Sequence, residues 1–340
     1  MGLKNMLKNP ELKSIIKPIL PTKFTFTTNL GWDVEAFSKY YKLLAPNELT
    51  NKSDARLVGI AFDYMARFII ANYIENDKES VLQDMVCEKA FCLLKNVLKD
   101  ELFIRQKEIY ENKIKNIENY IFNCSVDDYY TIILDVLTLA RLEQIYRTGI
   151  TNIISISKDA RVKNLELEKD LKKNCEIFKK VFIDFGIVRK NSVVVFNPHF
   201  GVWSYKCFGA DADIFIDGVL YDFKCVSKNN YKIDDIAQIC GYYLIHRLTQ
   251  MKDNTEEIED EVKVSAPLKN ISIKGIALYK SRFGAIEKFD VNKFDKEELD
   301  LVLEKVRKFI NKYYDYNRNI NLNDLWQEYL KSKTDESLSN

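Results

Sequence analysis

Three charged residues, Asp213, Asp222 and Lys224, lie within a stretch rich in alternating apolar residues. Two carboxylates that face each other across neighbouring strands repel, and such like-charge pairs are destabilising. A cation between them removes the repulsion, and Mg²⁺ commonly takes one or two carboxylates together with water and a substrate phosphate. A lysine one pleat away can hold a phosphate oxygen or orient the attacking water. These residue types indicate metal-dependent hydrolysis of a phosphate ester; the alternative is a solvated hairpin edge whose charges only maintain solubility.

A tight turn is predicted to bring the two carboxylates together. An Asp-Gly pair at 217–218 separates two runs of β-branched and aromatic residues. This is the strongest short signal for a type I′ hairpin, because both turn residues need positive φ. In that register Asp213 lies opposite Asp222, and one step further Asp211 lies opposite Lys224. Because side chains alternate along a strand, these charged groups share one face, and the apolar residues of the other face are predicted to form the core.

The helical pattern over 54–74 carries a second candidate group. Gly59, Asp63 and Arg67 are spaced four residues apart and share one face of that helix. Taken alone, the pattern indicates an amphipathic core helix with an Asp63–Arg67 pair at its surface. Beside the carboxylates of the hairpin, Asp63 becomes a candidate third metal ligand or an acid that supports the ligands.

A further helix is predicted over 234–248, after the hairpin. Gln238 and Tyr242 are one turn apart on it and point the same way. Gln238 could contact an attacking water or a nucleic-acid backbone, and Tyr242 could contact a phosphate or stack on a base; alternatively, both belong to a plain polar stripe. Lys228 and Lys232, in the loop before this helix, are candidate phosphate contacts.

Together these segments resemble the PD-(D/E)XK nuclease superfamily, and its RecB-like branch in particular. The matching positions, in the order that the family has, are Gly59-x-x-x-Asp63, Asp213, Asp222-x-Lys224 and Gln238-x-x-x-Tyr242. Two positions depart from the family pattern. Ala212 precedes Asp213 where the family has proline, and Asp63 stands at a histidine position, where a carboxylate adds negative charge to the site.

The resemblance implies an α+β fold of the restriction-endonuclease type, with a small mixed central β-sheet flanked by helices. Helical periodicity over about 78–185 predicts a large helical insertion before the hairpin. We expect a single nuclease-like domain over 1–332, followed by a frayed polar tail at 333–340.

The resemblance also implies a Mg²⁺- or Mn²⁺-dependent nuclease that hydrolyses phosphodiester bonds, with DNA favoured over RNA, in DNA processing or in defence against foreign DNA. The implied roles are metal binding for Asp213, Asp222 and Asp63, catalysis for Asp213, Asp222, Lys224 and Gln238, and substrate binding for Tyr242, to which Lys228 and Lys232 add candidate phosphate contacts. The alternative is a catalytically silent module of the same fold that binds nucleic acid or a protein partner. The intact set of two acids and a lysine argues against that alternative.

Cysteine usage bears on the cofactor. Some RecB-like nucleases carry an iron–sulfur cluster held by four cysteines, three of which follow the Gln-x-x-x-Tyr motif. This chain has no cysteine after Cys240, so we expect no iron–sulfur cluster. The seven cysteines are scattered and odd in number, which favours reduced thiols over a disulfide framework.

Composition narrows the class of protein. At 340 residues, with 46% hydrophobic and 30% charged content, the chain can bury a full core. It has no run of eighteen apolar residues and no apolar signal centre at the N-terminus, so we expect a cytoplasmic protein without membrane contact. A net charge of +1 excludes nucleic-acid binding by bulk positive charge, and two histidines argue against His-based zinc hydrolysis. The sequence leaves open whether the chain acts as a monomer or a homodimer.

Several other elements are predicted from periodicity alone. The charged run 105–119 indicates a solvated helix face or, alternatively, an arm that embraces a duplex. The remaining predictions are helices at 32–44, 297–314 and 322–330, strands at 192–196 and 271–279, and an acidic loop at 253–261.

Overall fold

The hairpin predicted from the Asp-Gly pair is present. In the computed structural model, Asp217 and Gly218 have φ of 46° and 93°, as a type I′ turn requires. The strands pair in the predicted register, with Ile214 opposite Tyr221. A Cβ atom on Gly218 would lie 3.2 Å from the side chain of Lys274. Glycine therefore suits this position both in φ and in space.

The hairpin lies within a six-stranded mixed sheet of order β1-β6-β5-β4-β3-β2. The structure describes residues 2–83, 85–95, 98–148, 165–251 and 266–337. The strands are β1 (Thr27–Thr28), β2 (Val194–Phe196), β3 (Ile214–Ile216), β4 (Val219–Lys224), β5 (Gly275–Lys280) and β6 (Ala285–Asp290). Strands β4 and β5 run parallel, whereas the other neighbouring pairs are antiparallel.

Helices lie on both faces of this sheet. They are α1 (Leu3–Met6), α2 (Pro10–Ile16), α3 (Lys52–Tyr73), α4 (Val86–Lys95), α5 (Asp100–Asn123), α6 (Ile133–Thr148), α7 (Leu165–Lys179), α8 (Val202–Lys206), α9 (Ile233–Gln250) and α10 (Lys296–Ser337). Helix α9 connects β4 to β5, as a parallel strand pair requires. Helices α4 to α7 confirm the helical block predicted before the hairpin, of which 149–164 lie outside the described residues. No helix among the described residues is long and apolar enough to cross a membrane.

The sheet is buried on both faces: the apolar face predicted to form the core does so, and the opposite face is covered as well. Ile214 and Tyr221 pack in one hydrophobic cluster with α3 and α7. Phe215 and Leu220, on the face that also carries the charged residues, pack in a second cluster with α9 and α10. The reason is the crossover, because the helix that joins two parallel strands must cover one face of their sheet.

The helix predicted over 32–44 is absent, and this segment runs irregularly along the edge of the sheet. Two of its backbone N–H groups donate to β6 and to the β5–β6 turn. The Phe37 N–H donates to Glu287 Oε1 at 3.0 Å, and the Leu44 N–H donates to the Arg282 carbonyl at 2.9 Å. Tertiary bonds therefore outweigh the weak helical periodicity of the segment.

The other predicted elements are close to those of the structure. Strand 192–196 contains β2, and the strand predicted at 271–279 begins only at Gly275. The two helices predicted at 297–314 and 322–330 belong to the single helix α10. The acidic loop at 253–261 lies outside the described residues.

A buried ion pair joins the helical block to the sheet. Arg282, in the β5–β6 turn, donates to both carboxylate oxygens of Asp170 on α7, at 2.7 and 2.6 Å. The exposed fractions of the two side chains are only 1% and 5%. Arg282 also donates to the Ala45 carbonyl at 3.1 Å, so its positive charge is well satisfied only while the carboxylate is present.

Asp170→Ala should lower the free energy of unfolding by about 3–5 kcal/mol, because it leaves the buried Arg282 charge unpaired. Urea unfolding at neutral pH measures this loss. The matched control is Glu176→Ala on the same helix, where Lys173 and Glu176 form an exposed pair at 3.0 Å that contributes about 0.5 kcal/mol or less. Equal losses of unfolding free energy in the two variants would contradict the conclusion that Arg282 depends on Asp170 for its charge partner.

Candidate functional site

The candidate catalytic residues meet where β4 ends. Asp222 and Lys224 lie on β4, and Asp213 immediately precedes β3, the antiparallel partner of β4. Asp63 comes from α3 on one face of the sheet, and Gln238 comes from the first half of α9 on the other face. Residues far apart in the sequence therefore converge at the carboxyl end of the parallel strand pair, where ligands commonly bind in α/β sheets.

The Asp213 carboxylate takes the place of a ladder bond. Its Oδ2 accepts the backbone N–H of Phe223, and its own carbonyl accepts the N–H of Asn197 at 3.1 Å. The regular pairing of β3 with β4 therefore ends at this residue. Asp211 turns away and bridges His199 instead of facing Lys224, so the predicted Asp211–Lys224 pairing is wrong.

Lys224 neutralises the buried carboxylate of Asp222. Its Nζ lies 2.5 Å from Asp222 Oδ2, donates to Gln238 Oε1 at 3.0 Å, and lies 3.9 Å from Asp235 Oδ1. Burial alone would lower the pKa of Lys224, but the negative charge of Asp222 outweighs it and raises the pKa above its ordinary value. The ammonium group therefore remains charged at neutral pH.

Gln238 is oriented by Tyr242 one turn later. The amide Nε2 of Gln238 donates to the Tyr242 hydroxyl at 3.0 Å, which directs the amide oxygen toward Lys224. The Tyr242 ring is buried and stacks on Phe200, with ring centroids 6.0 Å apart. In this arrangement the hydroxyl of Tyr242, and not its ring face, is directed toward the site.

Arg67 is buried and its partner Asp63 is partly buried, so the prediction of an Asp63–Arg67 pair at the protein surface is wrong. Arg67 Nη2 donates to Asp63 Oδ2 at 2.5 Å, and only 5% of the Arg67 side chain is exposed. The other carboxylate oxygen, Asp63 Oδ1, is buried without a hydrogen-bond partner among the described residues. An unpartnered buried oxygen is costly, and here it belongs to the residue that the sequence indicates as a third metal ligand.

Asp63 and Asp222 are close enough to Asp213 to shift its ionisation. Burial, followed by the negative charges of Asp63 and Asp222, raises the pKa of Asp213 well above its ordinary value. Burial also raises the pKa of Asp63 and of Asp222, although Arg67 and Lys224 respectively oppose the shift. Excess negative charge is therefore concentrated at this end of the sheet, and a bound cation would relieve it.

The donor set fits a divalent ion held by two carboxylates. Within the described parts of the chain, no group of three or more His, Cys, Asp or Glu side chains is close enough to enclose a metal ion. Mg²⁺ does not need such a cage, since it keeps several waters and takes one or two carboxylates with substrate oxygens. Asp213 and Asp222 would supply that pair; with Asp63, whose Oδ1 is buried without a hydrogen-bond partner, they do not form a group of three close enough to enclose an ion.

Several residues of the site are not evident from the sequence motifs. Asp235, in the first turn of α9, is the third acid around Lys224. Lys280 is the cross-strand neighbour of Lys224 in the parallel pair; burial lowers its pKa to about 8. A strand–helix–strand pattern predicts two parallel neighbouring strands, so the β4–α9–β5 order in the sequence could have indicated Lys280 as a neighbour of Lys224. Lys228 and Lys232 lie exposed in the loop between β4 and α9.

No protein-family model matches this sequence, and neither the curated proteins nor the solved structures contain a significant match to it.

Asp213→Asn should raise the free energy of unfolding at neutral pH in metal-free buffer by about 1 kcal/mol. The amide oxygen can still accept the Phe223 N–H, whereas the repulsion among the carboxylates falls. Because the folded-state pKa of Asp213 is raised, its contribution to stability is greatest below about pH 4 and is lost as the pH rises through the folded-state value. The wild-type stability should therefore fall more steeply between pH 4 and 7 than that of the variant.

Urea unfolding across this pH range measures the difference. Glu287, with a pKa raised by burial to about 7, and His246, with a pKa lowered by burial to about 4, are common to both proteins and largely cancel. Asp234→Asn, at a side chain that is 75% exposed, is the matched control and should follow the wild type. Parallel curves for wild type and Asp213→Asn would contradict the electrostatic account.

Proposed function

We propose that this chain is a Mg²⁺- or Mn²⁺-dependent nuclease with a restriction-endonuclease-like fold, acting on DNA in preference to RNA. The observation that carries the proposal is the meeting of Asp213, Asp222 and Lys224 at the end of β4, where Lys224 lies 2.5 Å from Asp222 and is bonded to Gln238. Burial, with the charges of Asp63 and Asp222, raises the pKa of Asp213 there. Two acids and a lysine in this arrangement suit phosphodiester hydrolysis.

The order of the elements supports the finer description of the fold. A helix that carries an acid, α3, precedes a hairpin that carries two further acids and a lysine, and a helix with glutamine and tyrosine leads into the next parallel strand. This is the order that the resemblance to the RecB-like branch implies. The large helical block lies between the first acid and the hairpin, as the resemblance allows.

Lys224 acts in this proposal as a fixed positive charge. Its ammonium group has three N–H donors; one bonds to Gln238, and the group lies 2.5 Å from Asp222 Oδ2. A further donor can bind a phosphate oxygen of the substrate. Positive charge held there stabilises the negative charge that develops on the phosphate during hydrolysis.

The acids hold their positions through the backbone and the neighbouring cations. One oxygen of Asp213 accepts the Phe223 N–H, which fixes the orientation of the carboxylate. Arg67 holds Asp63 in the same way from α3. When bound, a divalent ion would stabilise charge on the scissile phosphate and lower the pKa of the attacking water.

The second candidate is a catalytically silent module of the same fold that binds nucleic acid or a protein partner. One contact favours it: the Lys224 ammonium lies 2.5 Å from Asp222 Oδ2 and balances this buried charge without a metal ion. A silent module would gain no stability from Mg²⁺ or Mn²⁺, because a ligand stabilises the folded state only where it binds it.

The deciding experiment is cleavage of linear and circular, single- and double-stranded DNA, and of RNA, with Mg²⁺, Mn²⁺ or EDTA. We expect metal-dependent cleavage that falls by about 100-fold or more in Asp222→Asn and in Lys224→Ala, since each loses a group that stabilises transition-state charge. Asp234→Asn, in the first turn of α9 but exposed, is the control and should cleave normally.

Circular dichroism and a metal-dependent thermal shift accompany the assay, so that a misfolded variant is not read as an inactive one. Absence of cleavage on every substrate, from a folded wild type that metal does not stabilise, would exclude the nuclease and favour the silent module. Cleavage that persists in Asp222→Asn would place the active site elsewhere.

A further inference from the structure

Three aromatic side chains are unusually exposed within one segment of the chain. Residues 23–44, here named the aromatic segment, contain Phe24, Trp32 and Tyr40, whose exposed fractions are 77%, 99% and 83%. Single exposed apolar residues are common on protein surfaces. Three large, highly exposed rings within one segment, which also contains β1, go beyond such scattered single residues.

The aromatic segment is held against the loop that follows Lys224. Asn229 Nδ2 donates to the Ser38 carbonyl at 2.9 Å, and the ring of Tyr231 meets that of Phe37 edge-on, with centroids 5.4 Å apart. Tyr40 follows Ser38 by two residues, and Asn229 follows Lys224 by five. The exposed ring of Tyr40 therefore lies beside the loop that leads from Lys224, and Trp32 precedes it in the same segment.

Phe37 anchors the segment by burial. Its ring covers the ammonium group of Lys280, with Nζ 4.5 Å from the ring centroid, and its N–H donates to Glu287. Phe37 has a φ of 56°, a conformation that a bulky residue adopts only when its surroundings impose it. Because Phe37 is fixed in this way, the exposed Tyr40 three residues later stays near the site.

Lysines accompany the exposed rings. Lys39 Nζ lies 5.1 Å from the centroid of the Tyr40 ring. Lys23 Nζ lies 4.7 Å from that of Phe24, but it is paired with Glu35 at 2.7 Å. Lys228 and Lys232 are exposed on the adjoining loop. Rings on which bases can stack, next to cations that can follow a phosphate backbone, are the combination by which proteins bind single-stranded nucleic acid.

We infer that the aromatic segment binds a single-stranded stretch of the nucleic-acid substrate and leads it from Trp32 and Tyr40, past Lys228, to the carboxylates. This inference rests on the proposed nuclease function for the position of the scissile phosphate. A duplex keeps its base faces stacked inside the helix and cannot use these rings, so the surface selects unpaired strands.

The test measures binding of a labelled oligothymidine single strand and of a labelled duplex of equal length by fluorescence anisotropy. EDTA is present so that no strand is cut. The wild type should bind the single strand more tightly than the duplex. Trp32→Ala and Tyr40→Ala should each weaken single-strand binding by about tenfold, the order of magnitude for loss of one stacked base, and should leave duplex binding unchanged.

Phe185→Ala is the matched control. Phe185 is 68% exposed and has Lys180 Nζ 5.8 Å from its ring centroid, but it follows α7 and lies outside the aromatic segment. It should bind both probes like the wild type. Because Trp32 and Tyr40 are exposed, their variants should fold normally, and thermal unfolding checks this.

Single-strand affinity that stays the same in Trp32→Ala and Tyr40→Ala would overturn the inference, whatever the cleavage assay shows. An equal loss in Phe185→Ala would overturn it as well, because binding would then depend on any exposed ring. Selective loss in the two segment variants supports the surface even if the wild type fails to cleave with metal, and in that case only the nuclease proposal is excluded.

Discussion

The repulsion among the carboxylates of Asp63, Asp213 and Asp222 is the constraint on which the rest of this structure depends. Their charges meet in a largely buried place. Burial raises the pKa of each, and for Asp213 the negative charges of Asp63 and Asp222 raise it further. Without nearby cations, three carboxylates this close would move apart or become protonated. Two cations hold it together: Lys224 lies 2.5 Å from Asp222, and Arg67 donates to Asp63 at 2.5 Å.

Each cation is itself held by a separate part of the fold. Lys224 is oriented by the amide of Gln238 on the crossover helix. On the other face of the sheet, Arg67 stacks over the Tyr64 ring, with a guanidinium-to-centroid distance of 4.9 Å, and the Tyr64 hydroxyl donates to Glu143 on α6 at 2.6 Å. Glu143 in turn accepts from Arg147 at 2.6 Å. The helical block thus reaches the site through a chain of polar contacts, which gives it a positioning role as well as a packing role.

Local chemistry made part of this arrangement predictable. The Asp-Gly pair at 217–218 requires one turn and hence one register, so the proximity of Asp213 and Asp222 follows from the sequence. Long-range hydrogen bonds explain why the helix predicted over 32–44 is absent. Phe37 donates to Glu287, 250 positions away, and no helical period can indicate such a bond. The burial of Arg67 depends likewise on the helices that cover it. The ladder also ends one step early, because the Asp213 carboxylate replaces a backbone acceptor, and a strand pattern cannot show that exchange.

The central claim, that these carboxylates bind a divalent cation, is tested most directly by Mn²⁺ binding in the absence of nucleic acid. Electron paramagnetic resonance of the free ion measures this binding. We expect a saturable site in the wild type that is lost in Asp213→Asn and kept in Asp234→Asn, whose carboxylate is exposed. Binding of Mn²⁺ that is equal in all three proteins, or absent from the wild type, would contradict the claim that these carboxylates are assembled to hold a divalent cation.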